Sequence, residues 1–260
     1  MTPLLSRSLI PDNAASQKGK GTDYCIDRLC THLRQYYNKY GTEGYVLVFD
    51  FHKYFDSISH EAVFQLLDKK VKDERLNSLT KYLVKMFGDV GLGLGSQVSQ
   101  VLAISIPDKL DHILKEQLHC KYYGRYMDDG YIISNDKEHL KECLRVIEEE
   151  AKKFGVELNE KKSQIIRLSR GFTFLKIRFF LTDTGKVVRK LSRKNITRER
   201  RKLKKMGYLA SPEDLYSSYN SWTAHAKRCN SYKTIRSMDK IYNEAMDIAT
   251  EPLQKESEVT

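Results

Sequence analysis

No apolar run in this 260-residue chain approaches the roughly 20 residues of a membrane span, and residues 1–10 are too short and too polar in their surroundings for a secretion signal. A soluble protein with no membrane partner and a cytoplasmic location is the expectation. The five cysteines (Cys25, Cys30, Cys120, Cys143, Cys229) are odd in number and include no Cys-x-x-Cys pair. Their spacing supports neither a disulfide framework nor a zinc site, and they read as reduced thiols. Internal repeats and low-complexity tracts are absent. A P-loop is absent as well: Gln17-Lys18-Gly19-Lys20-Gly21-Thr22 offers backbone N–H groups and two ammonium charges to a phosphate, but not with that motif's spacing.

What is present is enough apolar matter for a core, 40% hydrophobic with 10% aromatic, and an uneven charge. The net charge is +11, and residues 186–206 alone carry eleven Lys or Arg against one Glu, a balance of +10. A solvated helix face is the plain explanation of such a run. A single-signed stripe also suits a polyanion, because each neutralised phosphate releases condensed counterions.

Two places concentrate acid where apolar patterning puts it at the end of a strand. Tyr45-Val46-Leu47-Val48-Phe49 has the continuous apolar character of a buried strand and stops at Asp50. Residues 121–126 and 131–134 are short β-rich runs on either side of Asp128-Asp129-Gly130, which predicts a hairpin with two carboxylates at its tip and Gly130 as the turn residue. Aspartate is common in turns for its own backbone hydrogen bonds, so the hairpin alone is weak. With Asp50 beside it, three carboxylates form a cluster that a divalent cation with oxygen ligands would relieve.

Tyr126-Met127-Asp128-Asp129 together with Phe49-Asp50-Phe51-His52-Lys53-Tyr54-Phe55-Asp56-Ser57-Ile58-Ser59-His60 resembles the palm of reverse transcriptases. The resemblance covers about residues 12–242 and implies an α+β polymerase palm, a βαββαβ antiparallel sheet with helices, with partial fingers and a helical thumb. Residues 1–185 would be fingers and palm, 186–250 a basic thumb, and 251–260 a frayed tail. It implies an RNA-templated DNA polymerase using two Mg²⁺ ions, with Asp50, Asp128 and Asp129 catalytic and the Phe51 carbonyl an added metal ligand. Template RNA, a DNA or RNA primer and dNTPs are the implied partners, and an accessory nucleic-acid-binding subunit is compatible with them.

The same resemblance assigns nucleotide contacts to Lys18, Lys20, Phe55, Leu94, Gly95, Gln100 and Lys162. Nucleic-acid contacts fall to Tyr126, Met127, Arg193, Lys194, Arg198, Arg201 and Lys205. Phe55 would be an aromatic gate against a ribose 2′-hydroxyl. Several positions depart from the family pattern: Gln17 stands where Arg is usual, the first fingers block has no counterpart upstream, and Lys176 replaces a usual Gly in the hairpin that grips the primer. Where many members have Pro-Gln-Gly, this chain has Gly93-Leu94-Gly95 followed by Ser99-Gln100, which resembles the enzymes of diversity-generating retroelements. Group II intron, retron and phage-defence polymerases are the alternatives, as is a catalytically idle nucleic-acid-binding palm protein.

Helical periodicity predicts helices over 22–40, 59–70, 74–87, 96–118, 137–154, 195–206, 212–227 and 232–249. The helix at 74–87 would bury Leu76, Leu79, Leu83 and Met86. Gly207 and Pro212 would punctuate the last group, and Trp222 reads as a core anchor.

Overall fold

The computed structural model describes residues 2–257, with side chains from residue 3 to residue 250. In chain order the elements are α1 (Thr2–Leu5), α2 (Thr22–Tyr40), β1 (Tyr45–Asp50), α3 (Tyr54–Ser57), α4 (His60–Lys70), α5 (Glu74–Lys85), α6 (Gln97–Ser105) and α7 (Asp108–His112). Then follow β2 (Tyr122–Tyr126), β3 (Asp129–Ser134), α8 (Lys137–Lys153), β4 (Gln164–Arg167), β5 (Phe172–Phe174), β6 (Ile177–Leu181), β7 (Val187–Leu191), α9 (Arg193–Leu209), α10 (Pro212–Ala226) and α11 (Tyr232–Ser257). The chain divides into two compact units, Met1–Leu175 with Leu181–Val187, and Lys176–Phe180 with Val188–Thr260.

The first unit is built on a four-stranded sheet in the order β2-β3-β1-β4, every pairing antiparallel. The class is α+β, and the expected βαββαβ succession is present. Strand β1 sits between β3 and β4 and is covered on both faces, which is why its sequence is apolar without alternation. On one face Leu47, Tyr123 and Ile132 share a core with Leu140, Cys143, Ile147 and Ala151 of α8. On the other, Tyr122 and Tyr131 meet His32 of α2 edge to face. Asp136 caps α8 through the Glu138 and His139 amides, and Gly155 ends it with a left-handed φ of 79°.

Helix α5 does not bury the face its leucines predict. Leu79 and Met86 are 55% and 65% exposed, and Leu83 is also exposed. The inward row is instead Leu76, Thr80 and Val84, spaced by four. Thr80 is tolerated inside because its hydroxyl donates to the Leu76 carbonyl at 2.7 Å. The pattern from 96 to 118 is likewise broken: Pro107 ends α6 and opens α7, and residues Ile113–Gln117 form a π-turn.

The second unit has its own core of Leu191, Leu203, Leu215, Tyr219, Trp222, Ala226, Met238 and Ala245. Trp222 is the anchor expected, with its indole N–H donating to Asn195 Oδ1 at 2.9 Å. Gly207 is not a break. It lies inside α9, where a Cβ would stand 3.0 Å from the Ala245 backbone, so glycine lets α9 and α11 approach closely. The break comes at Ser211, which caps α10 with Pro212 at its first position. The tail expected over 251–260 lies outside the described side chains.

Candidate active site

Strand pairing brings the carboxylates together. Asp50, the last residue of β1, is the register partner of Asp129, the first residue of β3, and Asp128 lies in the two-residue turn between β2 and β3. The turn is fixed from three sides. Phe51 N–H donates to the Asp128 carbonyl at 3.2 Å, Asn159 N–H donates to the Asp50 carbonyl at 2.8 Å, and His52 N–H donates to the Glu157 carbonyl at 2.8 Å. The segment after α8 is thereby docked against the end of β1, and Lys162 Nζ reaches Asp50 Oδ1 at 2.7 Å. Ser163 Oγ accepts the Asp50 amide at 3.3 Å.

Gly130 is not the turn residue expected. The left-handed residue is Met127, with φ 56°, while Gly130 is in the strand, where a Cβ would fall 2.1 Å from the Phe49 ring. Glycine is needed there so that Phe49 can pack across the hairpin. Holding Met127 in a region that non-glycine residues avoid costs about 1 kcal/mol or more, so neighbours must supply the compensation. Arg125 does so by donating to the Met127 carbonyl at 2.7 Å.

Sequence reasoning missed Arg125. It is fully buried and forms a bidentate pair with Asp111, at 2.9 and 2.7 Å, while also donating to the Ile104 carbonyl at 3.0 Å. Tyr123 donates to the same Asp111 at 2.6 Å, and Asn13 donates to the Ile104 carbonyl at 3.1 Å. The Arg125 backbone pairs with Asp12 and Ala14, tying the 11–20 loop to β2. The available signal was a lone arginine in an otherwise tyrosine-rich strand, which only a buried carboxylate could satisfy.

Electrostatics within the cluster follow from burial and crowding. Asp50 is 5% exposed, with Asp128 and Asp129 half-buried. Burial chiefly, with Asp50 adding to it, raises the Asp128 carboxyl above the usual range. Asp129 is pushed up to about 7 by burial and then by the charges of Asp128 and Asp50. The hydrogen bond to Asp50 raises Lys162. Three crowded acids, in two of which burial and the neighbouring charges disfavour the charged form, against one ammonium group, suit a hard divalent cation. A cavity of about 520 Å³ lined by Ser8, Lys70, Asp108, His112 and Glu150 includes none of the three.

Lys18 is exposed, but Lys20 is tied down by the Pro11 and Asn13 carbonyls at 3.0 and 2.9 Å, as one clasp of its loop. Gln17 likewise donates to the Asn13 carbonyl at 2.7 Å. Phe55 is half-buried against the core, and its carbonyl accepts Leu92 N–H at 2.7 Å, hanging the Gly-rich loop from the turn after Asp50. On that loop Leu94 is 77% exposed and Gly95 takes φ 86°. Gln100 accepts a long bond from Ser16 at 3.4 Å, and Tyr126 accepts one from Thr22 at 3.3 Å. Arg193, Lys194, Arg198, Arg201 and Lys205 are all exposed on α9, in the second unit.

Solved structures share the fold. Apo telomerase from Candida tropicalis truncated from its C-terminal domain aligns over 73% of this chain and 43% of that one, with a TM-score of 0.58 at 16% identity. Apo telomerase from the same organism aligns over 96% and 48%, with a TM-score of 0.57 at 14% identity. Telomerase from Candida albicans in complex with a fragment of telomeric RNA aligns over 87% and 44%, with a TM-score of 0.56 at 9% identity. The chain thus spans under half the length of the telomerases it matches. Comparison with curated protein sequences gave no significant match. Residues 7–206 match the model of one family, and that span contains the paired strand ends, the Asp-Asp turn and Lys162; the chain belongs to the reverse transcriptase (RNA-dependent DNA polymerase) family.

Proposed function

We propose that this chain extends a primer 3′-hydroxyl with deoxynucleotides on an RNA template. The observation that carries the reading is the register pairing of Asp50 with Asp129, with Asp128 at the turn and Lys162 on Asp50. Asp50 and Asp128 are the proposed ligands of two Mg²⁺ ions, with Asp129 and the Phe51 carbonyl as supporting oxygens. Such ions supply stabilisation of the attacking hydroxyl oxygen and of the pyrophosphate leaving oxygen in an in-line displacement. Lys162, which holds Asp50 at 2.7 Å, would neutralise triphosphate charge beside bound ions, with Lys18 as a second cation. Leu94, Gly95, Gln100 and Phe55 line the proposed nucleotide position. Tyr126 and Met127 would support the primer end, and Arg193, Lys194, Arg198, Arg201 and Lys205 the template–primer backbone.

The finer reading is an error-prone enzyme of the diversity-generating retroelement type, supported by Gly93-Leu94-Gly95 and Ser99-Gln100. In the test, Asp128→Asn and Asp50→Asn abolish Mg²⁺-dependent primer extension and keep RNA affinity within about threefold, because the basic stripe is untouched. Melting curves run alongside establish that both variants fold. Normal extension by a folded Asp128→Asn variant overturns the assignment. RNA binding without extension by the unmodified chain would instead mark an idle palm protein.

A further inference from the structure

We propose that Cys120, His139 and Cys143 form a binding site for one soft divalent cation of the zinc class, separate from the carboxylate cluster. The fold assembles what sequence spacing hides. Cys120 lies between the π-turn and β2, whereas His139 and Cys143 are one turn apart on α8. Their ligating atoms all lie within 4.8 Å of one another.

The distances are close to those of a tetrahedral site. Cys120 Sγ and Cys143 Sγ are 3.4 Å apart, and Cys143 Sγ is 3.7 Å from His139 Nε2. With metal bonds of about 2.3 Å to sulfur and about 2.0 Å to nitrogen, tetrahedral edges are about 3.7 Å between sulfurs and about 3.5 Å from sulfur to nitrogen. On those two edges the shift needed is a few tenths of an ångström, and the third pair of ligand atoms lies within 4.8 Å. Two buried thiols alone would pass as small apolar fillers. An imidazole nitrogen 3.7 Å from one of them, in a cluster with no carboxylate, makes a nitrogen and sulfur donor set that selects against Mg²⁺.

One of the two thiols, Cys143, is also prepared to ionise first. The hydrogen bond shared by the two sulfurs lowers the pKa of Cys143 below the ordinary thiol value and raises that of Cys120. His139 Nε2 now lies 2.8 Å from the Leu118 carbonyl, and that bond gives way when the nitrogen becomes a ligand. A route in exists, because Cys120 and His139 line a cleft of about 250 Å³ together with Tyr40, His119 and Asn135. The fourth position is open to water or to a side chain of that cleft. An ion here would bolt α8 to the root of β2, the strand that leads to Met127 and Asp128.

Cobalt reports the site directly. The full chain, reduced and freed of metal, is titrated with Co²⁺ in excess Mg²⁺. We expect an intense thiolate-to-cobalt charge-transfer absorption that saturates at one equivalent and is displaced by one equivalent of Zn²⁺. Cys143→Ala abolishes it, His139→Asn weakens Co²⁺ binding at least tenfold, and Asp128→Asn leaves it unchanged. Zn²⁺ should also raise the melting temperature of the unmodified chain but not of Cys143→Ala. Weak ligand-field bands without a thiolate band overturn the proposal, as does a thiolate band that survives both Cys120→Ala and Cys143→Ala. Oxidation to a Cys120–Cys143 disulfide without any metal uptake overturns it too. The titration of the unmodified chain decides the matter even if a variant does not fold.

Discussion

At Asp129, crowding with Asp128 and Asp50 gives a measurable proton linkage. The acid is pushed up to about 7 in the folded chain, against about 3.9 when unfolded. Stability from its retained proton is therefore fully present below about pH 4 and is lost as pH rises through about 7. His32, lowered to about 4 chiefly by burial, works in the opposite direction over much of the same range, so the unmodified curve alone would mislead. The informative quantity is the difference from Asp129→Asn. In chelator that variant should be the more stable at about pH 8, the gain should fade towards pH 4, and Mg²⁺ should erase it. A difference in melting temperature that ignores both pH and Mg²⁺ would show Asp129 to be isolated from its neighbours.

Nucleotide choice also turns on single side chains. Exposed Leu94 offers an apolar surface where many relatives have Gln, and loss of one directional polar contact is worth about 1–3 kcal/mol. Leu94→Gln should lower misincorporation about tenfold or more, chiefly opposite template adenine, and Phe55→Ala should admit ribonucleotides. Error counts equal at all four template bases and unchanged by Leu94→Gln would remove the retroelement reading. Asp50 was legible because a charge ending an apolar run is conspicuous, and Asp128 because two adjacent acids stand between two β-rich runs. Arg125 and Gly130 were not, because the need for each comes from a partner distant in sequence, Asp111 and Phe49.

Among the elements, the turn from β5 to β6 holds two non-glycine residues in left-handed backbone, Leu175 at φ 46° and Lys176 at φ 64°. The geometry that a glycine would favour is thus kept without the glycine. Lys176→Gly should raise stability by about 0.5–1 kcal/mol, the relieved strain exceeding the added freedom of the unfolded chain. A denaturant midpoint that moves up at constant m-value is the expected result, and a fall would mean that the lysine side chain contributes more than its backbone costs. Helices and strands with strong periodicity were readable, α2, α4 and α8 above all. Helix α5 was misread because side-chain type was taken as a proxy for burial, whereas Thr80 satisfies its hydroxyl locally and takes the inward place. Gly207 was misread for a related reason: the residue that ends a helix at its margin is also the one that permits contact at its middle.

For the molecule as a whole, charge distribution makes the strongest statement. The stripe on α9 presents Arg198, Arg201 and Lys205 in the open, and neutralising all three should flatten the slope of log affinity for an RNA–DNA duplex against log salt by about 2–3. An unchanged slope would show that these charges meet only water. That a basic segment exists was plain from composition. Which side chains stand outward was settled by the row Ile196, Glu199, Leu203 and Gly207, which α9 turns inward or partly inward.

The buried clusters of the two units bear on how any of these measurements is read. A unit built on a four-stranded sheet and a unit built on α9, α10 and α11 with most of β6 and β7, each with a buried cluster, do not oblige the chain to melt in one cooperative step. Calorimetry should then be fitted as two overlapping transitions. Divalent ions at either proposed site, carboxylate or thiol, act through residues of the first unit, and their effect is to be sought in its transition. A single averaged melting temperature would dilute every effect described for Asp129 and Cys143, and the enthalpy assigned to each peak, more than the position of either, becomes the reliable marker of which unit a substitution has touched.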